Sequence, residues 1–221
     1  MKRLFCTLLL AISVQFLFAN QPYHFSHLSV KDGLSQLNVT CIYQDKLGYI
    51  WFGTRNGLNK FNGNSFEVYW NHADDPHSIS SNIINCMAED AEGNLWIGTE
   101  NGLNRLDKNK NEFKRYHINQ QENKDKNKIT SLCLDQQGTL WIGAASEGLF
   151  AYTPQGDSLK NISTKELKGN WVNDIIERDH KLYIASYNRG LLIYDLQQQA
   201  VVRSFQQNSE SLPIPSNRIR K

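Results

Sequence analysis

The chain has 221 residues, 40% of them hydrophobic, with 24 basic against 22 acidic side chains and a net charge of +2. Two of the basic residues, Lys2 and Arg3, stand at the extreme N-terminus, and the only charged run elsewhere is the mixed NKDKNK of 123–128. So even a balance, with no basic stripe, argues against nucleic acid as a partner.

In chain order the first element is 1–19. Lys2 and Arg3 precede a mostly apolar stretch from Leu4 to Phe18, too short to span a bilayer comfortably. Phe18-Ala19 then gives way to polar Asn20-Gln21-Pro22. This reads as a secretory signal peptide cut after Ala19, with an uncleaved anchor as the alternative. Cys6 lies inside the segment and far from the cut, which argues against a lipid-anchored N-terminus. The domain expected after it is 20–221. Tyr23–Val30 reads as a lone strand before the first repeat.

From residue 38 the chain repeats. YIWFGTRNGLNKFN (49–62) returns as NLWIGTENGLNRLD (94–107), as TLWIGAASEGLFAYT (139–153) and, decayed, as KLYIASYNRGLLIYD (181–195). The anchors are Trp51, Trp96, Trp141 and Tyr183, forty-five, forty-five and forty-two residues apart. A fixed period of this length is the signature of an array fold. An apolar strand and a tight turn precede each anchor, as in VTCIYQDKLG (39–48) and INCMAEDAEG (84–93). The anchor strand follows, then a second turn with Gly57, Gly102, Gly148 or Gly190, a third strand, and a weaker fourth. Gly53, Gly98 and Gly143 recur two residues after the anchor, where a strand glycine permits close backbone approach. The connections are too short for parallel crossovers.

The anchor strands are apolar at consecutive positions (Ile50-Trp51-Phe52, Leu95-Trp96-Ile97, Leu140-Trp141-Ile142), so both sheet faces are covered. Stacked four-stranded sheets of this size are the blades of a β-propeller. The expected fold is all-β: an incomplete propeller of about four antiparallel blades, roughly 38–70, 82–117, 128–160 and 171–205, plus the lone N-terminal strand. SNRIRK (216–221) resembles SNIIN (81–85) and reads as the start of a fifth blade. A wedge of blades leaves open faces, so the expectation is the front portion of a longer protein, or a truncated product prone to self-association.

The D-x-x-G-x-(L/I)-W-x-G-T-x-x-G-L core of the first two copies resembles the two-component regulator propeller repeat. The third copy departs at Ala144, and the fourth at Tyr183 and Ala185. The resemblance covers 24–221. It implies the periplasmic sensor region of a hybrid two-component histidine kinase, behind a signal peptide. It also implies a missing remainder: further blades, a β-sandwich, a membrane helix, kinase, receiver and DNA-binding domains. The ligand it implies is an oligosaccharide released from a complex glycan, with no cofactor.

In a propeller, the loops between second and third strands share a face with the connections between blades. Sugars are held by aromatic platforms and planar hydrogen-bonding groups, with arginine for charged ones. On that chemistry the candidate ligand residues are Arg55, Arg189, Tyr187 and Trp171, followed by Glu100, His72 and His77. Asn56 and Asn101 precede glycine and read as turn formers. Asp45, Asp90 and Asp135 recur once per repeat at the hairpin and read as structural. Asp74, Asp75 and Glu147 offer no persuasive pair for glycoside hydrolysis. Cys41, Cys86 and Cys133 sit in inner strands as small hydrophobes, and the scattered histidines give no metal-ligand spacing. The expectation is therefore a non-enzymatic binding module. The alternatives are a propeller lyase or hydrolase fragment, or a protein-interaction scaffold.

Overall fold

The computed structural model describes residues 25–118, 127–154, 156–162, 164–209 and 213–219; the leader assigned to 1–19 lies outside them. Four separate sheets follow one another, each a four-stranded antiparallel meander. The first contains β1 (Val39–Gln44), β2 (Ile50–Thr54), β3 (Gly57–Phe61) and β4 (Phe66–Tyr69). The second contains β5 (Ile84–Glu89), β6 (Leu95–Thr99), β7 (Gly102–Asp107) and β8 (Glu112–Tyr116). The third contains β9 (Ile129–Leu134), β10 (Leu140–Ala144), β11 (Gly148–Thr153) and β12 (Ser158–Asn161). The fourth contains β13 (Val172–Arg178), β14 (Lys181–Ser186), β15 (Leu191–Asp195) and β16 (Ala200–Phe205). Inner strands touch in sequence, β1 to β5 to β9 to β13, so the sheets are propeller blades around one axis.

Burial depends on a blade's place in the row. β6 and β10 are buried at every residue, as consecutive apolar anchors require. β2 alternates over its first residues, and β1 alternates throughout, because the first blade has one uncovered face. Ile42 of β1 and Ile176 of β13 are exposed on the two outer blades.

Each of the first three blades is locked by a carboxylate clamp. Asp45, at the β1–β2 hairpin, accepts the Trp51 indole N–H at 3.0 Å and the backbone N–H of Tyr49 at 2.9 Å. Asp90 does the same for Trp96 at 2.8 Å and Asn94 at 2.8 Å, and Asp135 for Trp141 at 2.9 Å and Thr139 at 2.8 Å. Asp and Trp six residues apart thus close the turn and fix the ring rotamer together. The rings pack across blades: Trp96 on Tyr152 at 4.5 Å between centroids, and Trp141 on Tyr194 at 6.0 Å. The fourth copy lacks the clamp, with Asp179 exposed.

Blade spacing is set by Gly53, Gly98 and Gly143. A Cβ on Gly98 would stand 2.5 Å from Cys86 Sγ and 2.6 Å from Ile129 Cγ2 of the next blade. Cys86 is buried and Cys41 and Cys133 are half-buried, with no disulfide joining them.

One expectation is corrected. Residues 25–29 form no strand, and Val30–Asp32 make a single 3-10 turn capped by Ser29 and ended by Gly33. No described strand edge lies alongside to pair with this segment, and a strand without a partner leaves its backbone groups to water. Residues 216–219, where a fifth blade is expected to start, carry no assigned strand, as 81–83 carry none before β5, and 220–221 lie outside the described residues. Residues 216–219 do seat as the next blade's start would: Ile219 donates its N–H to Ser186 O at 3.0 Å, and Gly190 N–H reaches Asn217 O at 2.8 Å. Gly57 and Gly102 make the corresponding bonds to Asn82 O and Asn127 O at 2.7 and 2.8 Å.

Candidate functional site

One face of the blade row carries the β2–β3, β6–β7, β10–β11 and β14–β15 loops together with the blade-to-blade connections. Its geometry follows from a feature present in every blade. Each inner strand opens with a register shift at its second residue, placed between Val39 and Cys41, Ile84 and Cys86, Ile129 and Ser131, and Val172 and Asp174. The extra residues are Thr40, Asn85, Thr130 and Asn173. A β-bulge re-aims a side chain out of the ladder. Here each reaches the carbonyl that begins the next blade: Thr40 to Ile84 O at 2.6 Å, Asn85 to Ile129 O at 2.9 Å, Thr130 to Val172 O, and Asn173 to Ile219 O.

Immediately before each inner strand stands a residue on the rim: Asn38, Ile83, Lys128, Trp171 and, at the equivalent place in the segment after the fourth blade, Arg218. In the second, third and fourth blades its carbonyl accepts a backbone N–H from the second-to-third-strand loop of the same blade. Glu100 donates to Ile83 O at 3.1 Å, Ala145 to Lys128 O at 3.0 Å, and Tyr187 to Trp171 O at 3.0 Å. The fold therefore presents rim side chains in pairs. The bonding frame repeats from blade to blade, while the displayed residues change.

At the third and fourth blades these pairs form a cleft of about 550 Å³, lined by Asn85, Lys128, Thr130, Trp171, Asn173, Tyr187 and Arg218. Trp171 and Tyr187 have ring centroids 5.7 Å apart and planes tilted by 33°. Lys128 Nζ lies 5.8 Å from the Trp171 ring, and the Arg218 guanidinium 4.2 Å from that of Tyr187. Lys128 also pairs with Glu100 at 2.8 Å. A second cleft of about 720 Å³ adjoins the first through Lys128 and Trp171 and is lined further by Ser80, Asn82, Glu100, Asn101 and Ser146.

Of the residues singled out from the sequence, Trp171, Tyr187 and Glu100 lie in this pair of clefts. Trp171 is half-buried on the rim rather than in the core. Arg55 is exposed at the first blade's equivalent loop position, outside both clefts. Arg189 is exposed in the β14–β15 loop, held through its backbone N–H to Ser186 Oγ at 3.0 Å, and lines neither. His72 and His77 are carried away to the outer strand of the second blade. Arg115 of β8 holds the carbonyls of Ser78 at 2.8 Å and Asp75 at 2.7 Å, and Phe113 N–H reaches His77 O at 2.8 Å. His77 Nδ1 ends 3.9 Å from Glu112 in a separate groove.

Lys128, Arg218 and the bulge residues Asn85, Thr130 and Asn173 were not singled out. The available signal was the repeat alignment itself: the positions directly before and after the first inner-strand residue.

The opposite face carries the strongest electrostatics. Lys108 bridges Asp45 at 3.0 Å and Glu89 at 2.9 Å, with both carboxylates buried. Burial disfavours the Asp45 charge, but the Trp51 indole and the Lys108 ammonium outweigh it and hold the carboxyl below its ordinary range. Burial also works against the Lys108 ammonium, and the two carboxylates outweigh it and raise its pKa. Asp157 is pulled down to about 2 by Lys114 and by the hydroxyls of Tyr116 and Tyr152. These groups tie second to first and third blades. They are spent on packing, which is the role assigned to the recurrent Asp45, Asp90 and Asp135.

Three stretches of the chain, 33–56, 78–101 and 124–146, match the model described as two component regulator propeller. The chain is 48% identical over 71 residues to part of histidine kinase P4 from Formosa agariphila, a match covering 32% of this chain and 5% of that protein. Among solved structures it is similar to the extracellular domain of BT4673 from B. thetaiotaomicron, a candidate one component system. That likeness has a TM-score of 0.63 and 24% identity, over 75% of this chain and 25% of the other. It is also similar to virginiamycin B lyase from Staphylococcus aureus, with a TM-score of 0.58 and 15% identity, over 78% of this chain and 56% of the lyase. Both structural likenesses are likenesses of fold. The chain thus spans a small part of the kinase and about a quarter of the first solved structure.

Proposed function

We propose that this chain, built of two-component regulator propeller repeats, belongs to the ligand-receiving region of a hybrid two-component histidine kinase. It is exported to the periplasm behind the N-terminal leader and responds to an oligosaccharide released from a complex glycan. The observation that carries the reading is the contrast within the repeats. Hairpin aspartate, anchor and spacing glycine keep the same roles in the first three blades, while the rim displays Ile83 and Glu100, then Lys128 and Ala145, then Trp171 and Tyr187. A constant frame with a changing rim is how an array fold builds a recognition surface. The tilted Trp171–Tyr187 pair beside amide and hydroxyl groups suits a sugar ring, whose faces are apolar and whose edge is hydroxyl-rich. The kinase match supports the signalling context.

The test is genetic. A strain lacking the codons for 25–219 is grown on a panel of purified polysaccharides, and transcripts of polysaccharide-degradation genes are followed. The reading predicts that induction by one glycan is lost while responses to the others persist. An unchanged response to every glycan overturns it.

A further inference from the structure

The cleft between the third and fourth blades is not electrically neutral. Its aromatic pair stands between two cations in a row: Lys128, Trp171, Tyr187, Arg218. Lys128 is compensated by Glu100 at 2.8 Å. Arg218 has no carboxylate within ion-pair distance among the described residues; its place is fixed by the Tyr187 ring and by its backbone N–H to Ser216 Oγ at 3.0 Å. A guanidinium stacked on an aromatic ring keeps its N–H edge available, and that edge matches a carboxylate or sulfate in planar, two-point fashion. The bulge residues line the same cleft. Asn85 and Asn173 each use one side-chain N–H on the next blade's carbonyl, and each amide carries a further N–H and an acceptor oxygen.

We propose that this cleft is an acidic-sugar subsite, in which Arg218 receives a carboxylate or sulfate ester, Trp171 packs against the ring, and Asn85 and Asn173 read its hydroxyls. The proposal rests on the glycan-sensor reading for the body of the ligand; the anion is read from the cleft alone. Because Arg218 belongs to the segment after the fourth blade, an occupied subsite also joins that segment to two blades. Its position relative to β13 is already held by the Asn173 and Ser186 bonds to Ile219.

Calorimetric titration of the full chain tests this with three probes: trigalacturonate, a sulfated chondroitin disaccharide and neutral xylotriose. At least one acidic probe is expected to bind about tenfold or more tightly than the neutral one, and to weaken between about 50 and about 500 mM salt. Which acidic probe wins identifies the anion. Arg218→Gln is expected to lose about tenfold for that probe and to leave the neutral sugar unaffected. Arg178→Gln, exposed on the opposite face, serves as the control. Thermal melts confirm that each variant is folded. Failure of both acidic probes to bind, equal affinity for xylotriose, or indifference to Arg218→Gln overturns the subsite. The sensor reading is judged separately by the deletion strain's transcripts.

Discussion

At the scale of single residues, each of the first three blades depends on the clamp between hairpin aspartate and anchor tryptophan. Trp96 is 1% exposed and packs on Tyr116 and Tyr152, so Trp96→Ala should cost about 3–5 kcal/mol through the cavity it leaves. Trp96→Phe keeps much of the packing but loses the 2.8 Å bond to Asp90, and should cost about 1–2 kcal/mol. Denaturant unfolding of the two variants checks both terms; a Trp96→Phe cost near zero would mean that the indole N–H contributes nothing. The ion cluster makes a pH prediction. Asp45 is held below its ordinary value, so its contribution is complete above about pH 4, the unfolded value, and is lost as pH falls through the lowered folded one. Lys108 has a raised value, so its contribution is lost only as strongly alkaline pH passes it. Lys108→Met leaves Asp45 and Glu89 buried without their cation and should cost about 3–5 kcal/mol at neutral pH. It should also flatten the acid limb of the stability curve, and an unchanged acid limb would remove the cluster from this role.

At the scale of strands and turns, the glycine two residues after each anchor sets how closely blades stack. Gly98→Ala drives a methyl group into Cys86 and into Ile129 of the next blade, and should cost about 1–3 kcal/mol or more by overpacking. A thermal midpoint within a degree of the parent would contradict that spacing role. This layer was legible in the sequence because it repeats: turn glycines, anchor strands and hairpin aspartates mark their places three or four times over. Tyr23–Val30 reads as a lone strand by its place before the first repeat, which says nothing about whether an edge lies beside it. His72 and His77 were placed on the ligand face by loop position alone. The pull of Arg115 on the Asp75 and Ser78 carbonyls is long-range, and no local pattern announces it.

At the scale of the molecule, four blades share one axis, and the recognition surface is a property of the row rather than of any blade. Trp171 and Tyr187 were readable as aromatic residues in the right loops. Lys128 and Arg218 were not, because each looks like an ordinary surface cation until the repeats are stacked and the pre-strand position is followed from Asn38 to Arg218. Asn85 and Thr130 were hidden by the bulge, which turns a residue that alternation assigns to a sheet face toward the next blade and the cleft. The kinase match and the cleft meet in one experiment: the chromosomal double variant Trp171→Ala/Tyr187→Ala, with protein abundance followed by immunoblot and transcription by induction with the responsive glycan. Normal abundance is expected, with an induction curve shifted about tenfold or more to higher glycan concentration. Normal abundance with an unshifted curve would contradict the sensor reading.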